Sequence, residues 1–143
     1  MAATPCRVAV LNSHPIQYFA PLYAHLNRDP ELDVTALYCS DISLRGGMDP
    51  GFGQAVKWDV DLLDGYRSVF LGEHARQRVP GGFWSLVCPE VWSEVRSGRY
   101  DAVWLHGYAY AADLIALVAA RTRGLPVFYR SETHLGLTRS GWI

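Results

Sequence analysis

The sequence holds three cysteines among its 143 residues, Cys6, Cys39 and Cys88, and none are at C-x-x-C spacing. An odd, unspaced set excludes a disulfide framework. Two of the three sit in apolar, strand-like runs, where free thiols behave as small hydrophobes, and the protein reads as reduced and cytosolic (cytoplasmic). Charge of one sign is also lacking: 13 basic side chains face 14 acidic ones, for a net charge of -1. Nothing in that balance attracts nucleic acid or an anionic membrane surface. The N-terminal MAATPCRVAV has no basic region followed by an apolar stretch of signal-peptide length, and no window reaches the roughly 18 apolar residues of a membrane span. A chain without a transmembrane segment is expected, with peripheral membrane contact left open.

A further absence concerns chemistry. The loop after the first apolar run lacks G-x-G-x-x-G, so the usual means of seating a dinucleotide pyrophosphate on the first helix is missing. This argues against a nucleotide-dependent oxidoreductase.

The composition that remains is half hydrophobic and 19% charged, which suits a single compact domain over residues 1–143. Short β-rich runs alternate with helical patterns, the signature of parallel βαβ construction. Strands are expected at Arg7–Leu11, Val34–Cys39, Ser68–Leu71, Asp101–Gly107 and Val127–Arg130. The first helix is expected over Ile16–Asn27, from apolar residues at three- and four-residue steps, with Pro15 starting it and Ser13 or Asn12 capping it. Further helices are expected over Pro89–Ser97, followed by Gly98, and over Tyr110–Arg123, ended by Gly124 and Pro126. The fold class that follows is α/β, a Rossmann-like parallel sheet of order 3-2-1-4-5 with helices on both faces.

In such a sheet ligands gather outside the carboxyl ends of the strands, where the strand order reverses between strands one and four. Asn12-Ser13-His14-Pro15 leaves strand one at that edge and His106-Gly107-Tyr108 leaves strand four beside it. His106 is the principal candidate, because it ends a buried strand and the glycine after it leaves room for a ligand. His14 either lines the cleft or only satisfies its turn. Arg130, Glu132 and His134 follow strand five as a third wall, with an Arg130–Glu132 ion pair as the structural alternative to substrate contact. RSETHL lacks the H-E-x-x-H spacing of a helical zinc site, so no metal is expected.

The insertion SDISLRGGMDPGFGQAVKWDVDLLDGY is long for a compact fold. Lys57–Val60 is a candidate extra strand, and Gly51-Phe52-Gly53 with Trp58 form either an acceptor-binding lid or a scaffold loop. Trp84, Trp92 and Trp104 fall in helix or strand patterns and are expected in the core.

Four motifs in order, SHPIQYFAPLYAHL, DPGFGQAVKWDVDLLDGY, SGRYDAVWLHGY and RSETHL, resemble the N-terminal half of family 4 glycosyltransferases of the two-Rossmann-domain type, over Arg7 to Leu135. The resemblance implies sugar transfer with retention from a nucleotide-sugar donor to an unknown acceptor. It implies no cofactor and no catalytic metal. The nucleotide would be held by a C-terminal donor-binding domain supplied in cis or in trans, since the chain stops at Gly141-Trp142-Ile143 where a linker would begin. By the same resemblance His106 faces the transferred sugar, and Asn12, His14, Gln17, Gly107, Tyr108, Arg130, Glu132 and His134 are the expected substrate-binding residues around it. The alternative of another class is a non-catalytic Rossmann-like module or subunit that needs a partner chain.

Overall fold

The computed structural model describes residues 4–45, 48–49, 54–55 and 61–131. Its centre is a five-stranded, all-parallel sheet of β1 (Cys6–Asn12), β2 (Leu32–Tyr38), β3 (Arg67–Phe70), β4 (Ala102–Leu105) and β5 (Val127–Tyr129). The spatial order is 3-2-1-4-5. A separate two-residue antiparallel pair joins Met48–Asp49 to Gln54–Ala55. The extra strand at Lys57–Val60 and the lid around Phe52 and Trp58 lie outside the described residues.

The central strands are apolar on both faces because both faces are covered. Ala9 and Leu11 of β1, with Val103 and Leu105 of β4, pack against α2 (Glu90–Val95) and α3 (Ala111–Arg123). Val10, between them in the sequence, points the other way into a cluster with Val34, Ala36, Tyr38 and Tyr23 of α1 (Ala20–Leu26). Ala112, Ala116, Ala119 and Ala120 give α3 a small-residue face that lets it lie close to the sheet. Gly124, at φ +73°, ends that helix in the left-handed conformation that costs glycine no Cβ clash.

Two expectations are corrected. The first helix begins at Ala20 rather than Ile16. Pro21 has no N–H to give to the carbonyl of residue 17, so a helix can contain it only within the first turn. Residues 16–19 instead form a turn in which the Ile16 carbonyl accepts from the N–H groups of Phe19 and Ala20, at 3.0 and 3.1 Å. Neither Ser13 nor Asn12 caps α1, which has no side-chain cap.

The second correction concerns tryptophan. Trp84 is 77% exposed and Trp92 41% exposed, so neither is a core residue. Trp92 stands on the outer side of α2 with Arg96 over its ring, and Trp84 sits edge-on to Phe83 in a one-turn 3-10 segment. Trp104 packs among the partly buried residues of the α1 layer. Cys39 and Cys88 are buried, Cys6 is exposed, and all three thiols are free. No described helix is long and apolar enough to cross a membrane.

Candidate functional site

The register of β1 on β4 pairs Leu11 with Leu105, so the residues that follow, Asn12 and His106, leave the sheet side by side at its carboxyl edge. His14 and His106 thus lie on loops at the same edge, after neighbouring strands. Strand alternation then divides the β4 exit. Trp104 and His106 turn toward α1, while Leu105 and Gly107 turn toward α3.

On the α1 side the imidazole of His106 is held by three rings and one hydrogen bond. Its centroid lies 4.2 Å from that of Phe19 and 4.6 Å from that of Trp104. Its Nε2 is 2.8 Å from the hydroxyl of Tyr23, which is fully buried. The same hydroxyl accepts from the Asn12 Nδ2 group. Nδ1 of His106 is buried and has no hydrogen-bond partner among the described residues. Arg130, just past β5, donates its N–H to the Leu105 carbonyl at 2.9 Å and lays its guanidinium over the Phe19 ring at 5.1 Å. Burial first, and the Arg130 charge second, lower the His106 pKa to about 4. The imidazole is therefore neutral at physiological pH.

The structure brings Asn12, His106 and Arg130 of the sequence-predicted set together and adds Phe19 and Tyr23, which sequence reading treated only as apolar positions of the first helix. A signal was available for Tyr23, because a tyrosine on the buried face of a helix must find a partner for its hydroxyl. His14 is half-buried, with Nδ1 at 2.9 Å from the Ser13 Oγ. Gln17 is half-buried in the turn before α1. Gly107 and Tyr108 line a groove of about 510 Å³ on the α3 side, together with Asp113, Leu117 and Tyr129. Glu132 and His134 lie outside the described residues. Among the described residues no group of three or more His, Cys, Asp or Glu side chains is placed to hold a metal ion.

Asp113, at the start of α3, is shifted in the opposite direction from His106. Burial raises its pKa from 3.8 to about 6, although its carboxylate accepts from the Tyr110 N–H at 3.1 Å. For His106 the folded pKa of about 4 lies below the ordinary histidine value of 6.5, so its contribution to stability is complete above 6.5 and is lost as pH falls toward 4. For Asp113 the contribution is complete below 3.8 and is lost as pH rises through 6. The two oppose each other between about pH 4 and 6. Urea midpoints across that window should show the difference: relative to the parent, His106→Gln should lose stability as pH rises from 4 to 6, and Asp113→Asn should gain it. A His106→Gln profile parallel to the parent would contradict the buried, neutral imidazole.

Compared with protein-family models, curated proteins and solved structures, the chain matches none.

Proposed function

We propose that this chain is the acceptor-side half of a retaining glycosyltransferase, moving a sugar from a nucleotide-sugar donor to an acceptor while a second domain, in cis or in trans, holds the nucleotide. The observation that carries this reading is the setting of His106: a neutral imidazole at the reversal of strand order, with one buried ring nitrogen unpaired among the described residues. Glycosyl transfer passes through a transition state with positive charge at the anomeric carbon. A neutral hydrogen-bonding ring can sit beside that carbon without opposing the charge, whereas an imidazolium could not. With its pKa near 4, His106 is a weak base at neutral pH, so its role is sugar contact and not proton abstraction. Asn12 and Arg130 supply further polar contact at the same edge.

The division of labour sets the test. The purified 143-residue chain, incubated with a panel of nucleotide sugars and acceptors, is expected to show no multiple turnover. Calorimetry with nucleoside diphosphates is expected to show no binding, because the diphosphate partners belong to the other domain. Multiple turnover by this chain alone would overturn the half-enzyme reading.

A second reading, a non-catalytic module that needs a partner chain, is favoured by the apolar side chains exposed along α3 and β5, Leu114, Val118, Phe128 and Tyr129. Transfer restored by adding a donor-binding domain selects the enzyme; a stable complex without transfer selects the module.

A further inference from the structure

We infer that Tyr23 is a positioning residue which, together with Asn12, fixes His106 as the Nδ1–H tautomer and so makes its buried Nδ1 a hydrogen-bond donor at the sheet edge. The inference follows from a count of protons. Asn12 Nδ2 donates to the Tyr23 oxygen. The phenol has a single proton of its own, and among the described residues the other polar atom in reach is His106 Nε2 at 2.8 Å. Given to Nε2, that proton requires Nε2 to be unprotonated, which places the proton of a neutral ring on Nδ1. The reverse arrangement, with Nε2–H donating to the phenol, leaves two buried groups unpaired, the Tyr23 O–H and the Nδ1 lone pair. The inferred one leaves a single unpaired group, the Nδ1–H.

Tyr23 is well suited to hold this choice. It is 0% exposed, its ring meets those of Tyr66 and Trp104 edge-on, and burial raises its pKa, so it remains a phenol. Phe19 and Trp104 hold the imidazole plane against rotation. A buried N–H with no partner among the described residues is complementary to an oxygen brought by a ligand. Resting on the glycosyltransferase reading, that oxygen is a hydroxyl of the transferred sugar; the tautomer itself does not depend on that reading.

The test is a long-range 1H–15N correlation spectrum of the full chain, labelled with 15N-histidine, at neutral pH without any ligand. His106 is expected to show a pyrrole-like Nδ1 and a pyridine-like Nε2. Tyr23→Phe removes the donor to Nε2, and both nitrogens are expected to shift toward an averaged mixture. A pyrrole-like Nε2 in the parent, or unchanged nitrogens in Tyr23→Phe, would overturn the inference. Should Tyr23→Phe not fold, the parent still decides. The proton between the two rings is expected as a slowly exchanging resonance with NOEs to His106 Hε1 and Hδ2 and no one-bond coupling to 15N, as a phenolic proton requires. A one-bond coupling would place it on Nε2 and refute the assignment. Failure of sugar transfer leaves these spectra standing, and failure of the spectra leaves the transfer assay standing, so the two claims fall separately.

Discussion

Replacing Arg78 with alanine is expected to lower the unfolding free energy by about 3 kcal/mol, among the largest effects of any single substitution outside the apolar core. The Arg78 side chain is 11% exposed, and its guanidinium makes three bonds: to the Leu71 carbonyl at 2.6 Å and to the two Glu90 carboxylate oxygens at 3.0 and 2.9 Å. The Arg78 carbonyl in turn accepts from Ser40 Oγ. One residue thereby ties the exit of β3, the first turn of α2 and the loop after β2. The connection it sits in, residues 72–89, contains no regular element beyond single 3-10 turns, so little else fixes its path. Truncation leaves a carbonyl and a part-buried carboxylate without their donor, and the unmet desolvation of the charged group dominates the loss. Arg78→Lys should recover less than half, because one ammonium cannot span both acceptors. Urea denaturation checks this; a loss below about 1 kcal/mol would show the ion pair to be a surface ornament.

How much of this was legible in the sequence depends on the kind of signal. DAVWLHG announced β4 because a strand covered on both faces leaves a continuous apolar run, and Gly124 with Pro126 marked the end of α3 to the residue. Strand order followed from the alternation of elements, since parallel strands need crossovers and the crossovers restrict the topology. The start of α1 was misplaced because apolar periodicity continues smoothly through Ile16 and Phe19 and outweighed the one residue, Pro21, that fixes the boundary. Trp84 and Trp92 were misread for a related reason: an aromatic in a helical pattern carries no mark of which face it occupies, and α2, only six residues long, buries Val91 and Val95 instead. At the site, His106 and Asn12 were readable from position alone. For Tyr23 the sequence signalled only that a buried hydroxyl needs a partner, not which one, because it meets Nε2 across 83 residues of sequence.

If the chain is the acceptor-side half proposed above, His106→Ala, assayed with the proposed donor-binding domain, is expected to slow sugar transfer about a hundredfold while leaving nucleotide affinity nearly unchanged. Loss of a polar contact made chiefly in the transition state costs on the order of 3 kcal/mol, which is that factor in rate. Nucleotide affinity is spared because the proposed division places the nucleotide on the other domain, so the effect falls on kcat and on kcat/KM alike. The substitution also empties a slot between Phe19 and Trp104 and strips the Tyr23 hydroxyl of its acceptor, so some stability is lost as well. Rate and folded fraction must therefore be read together. The most direct measurement is the single-turnover rate of transfer by parent and His106→Ala enzyme, normalised to the folded fraction of the same preparations. A roughly hundredfold drop per folded molecule with an unchanged nucleotide Kd is expected; an unchanged rate per folded molecule, with only a lowered melting temperature, would contradict a sugar-contacting role and leave His106 as a structural residue of the sheet edge.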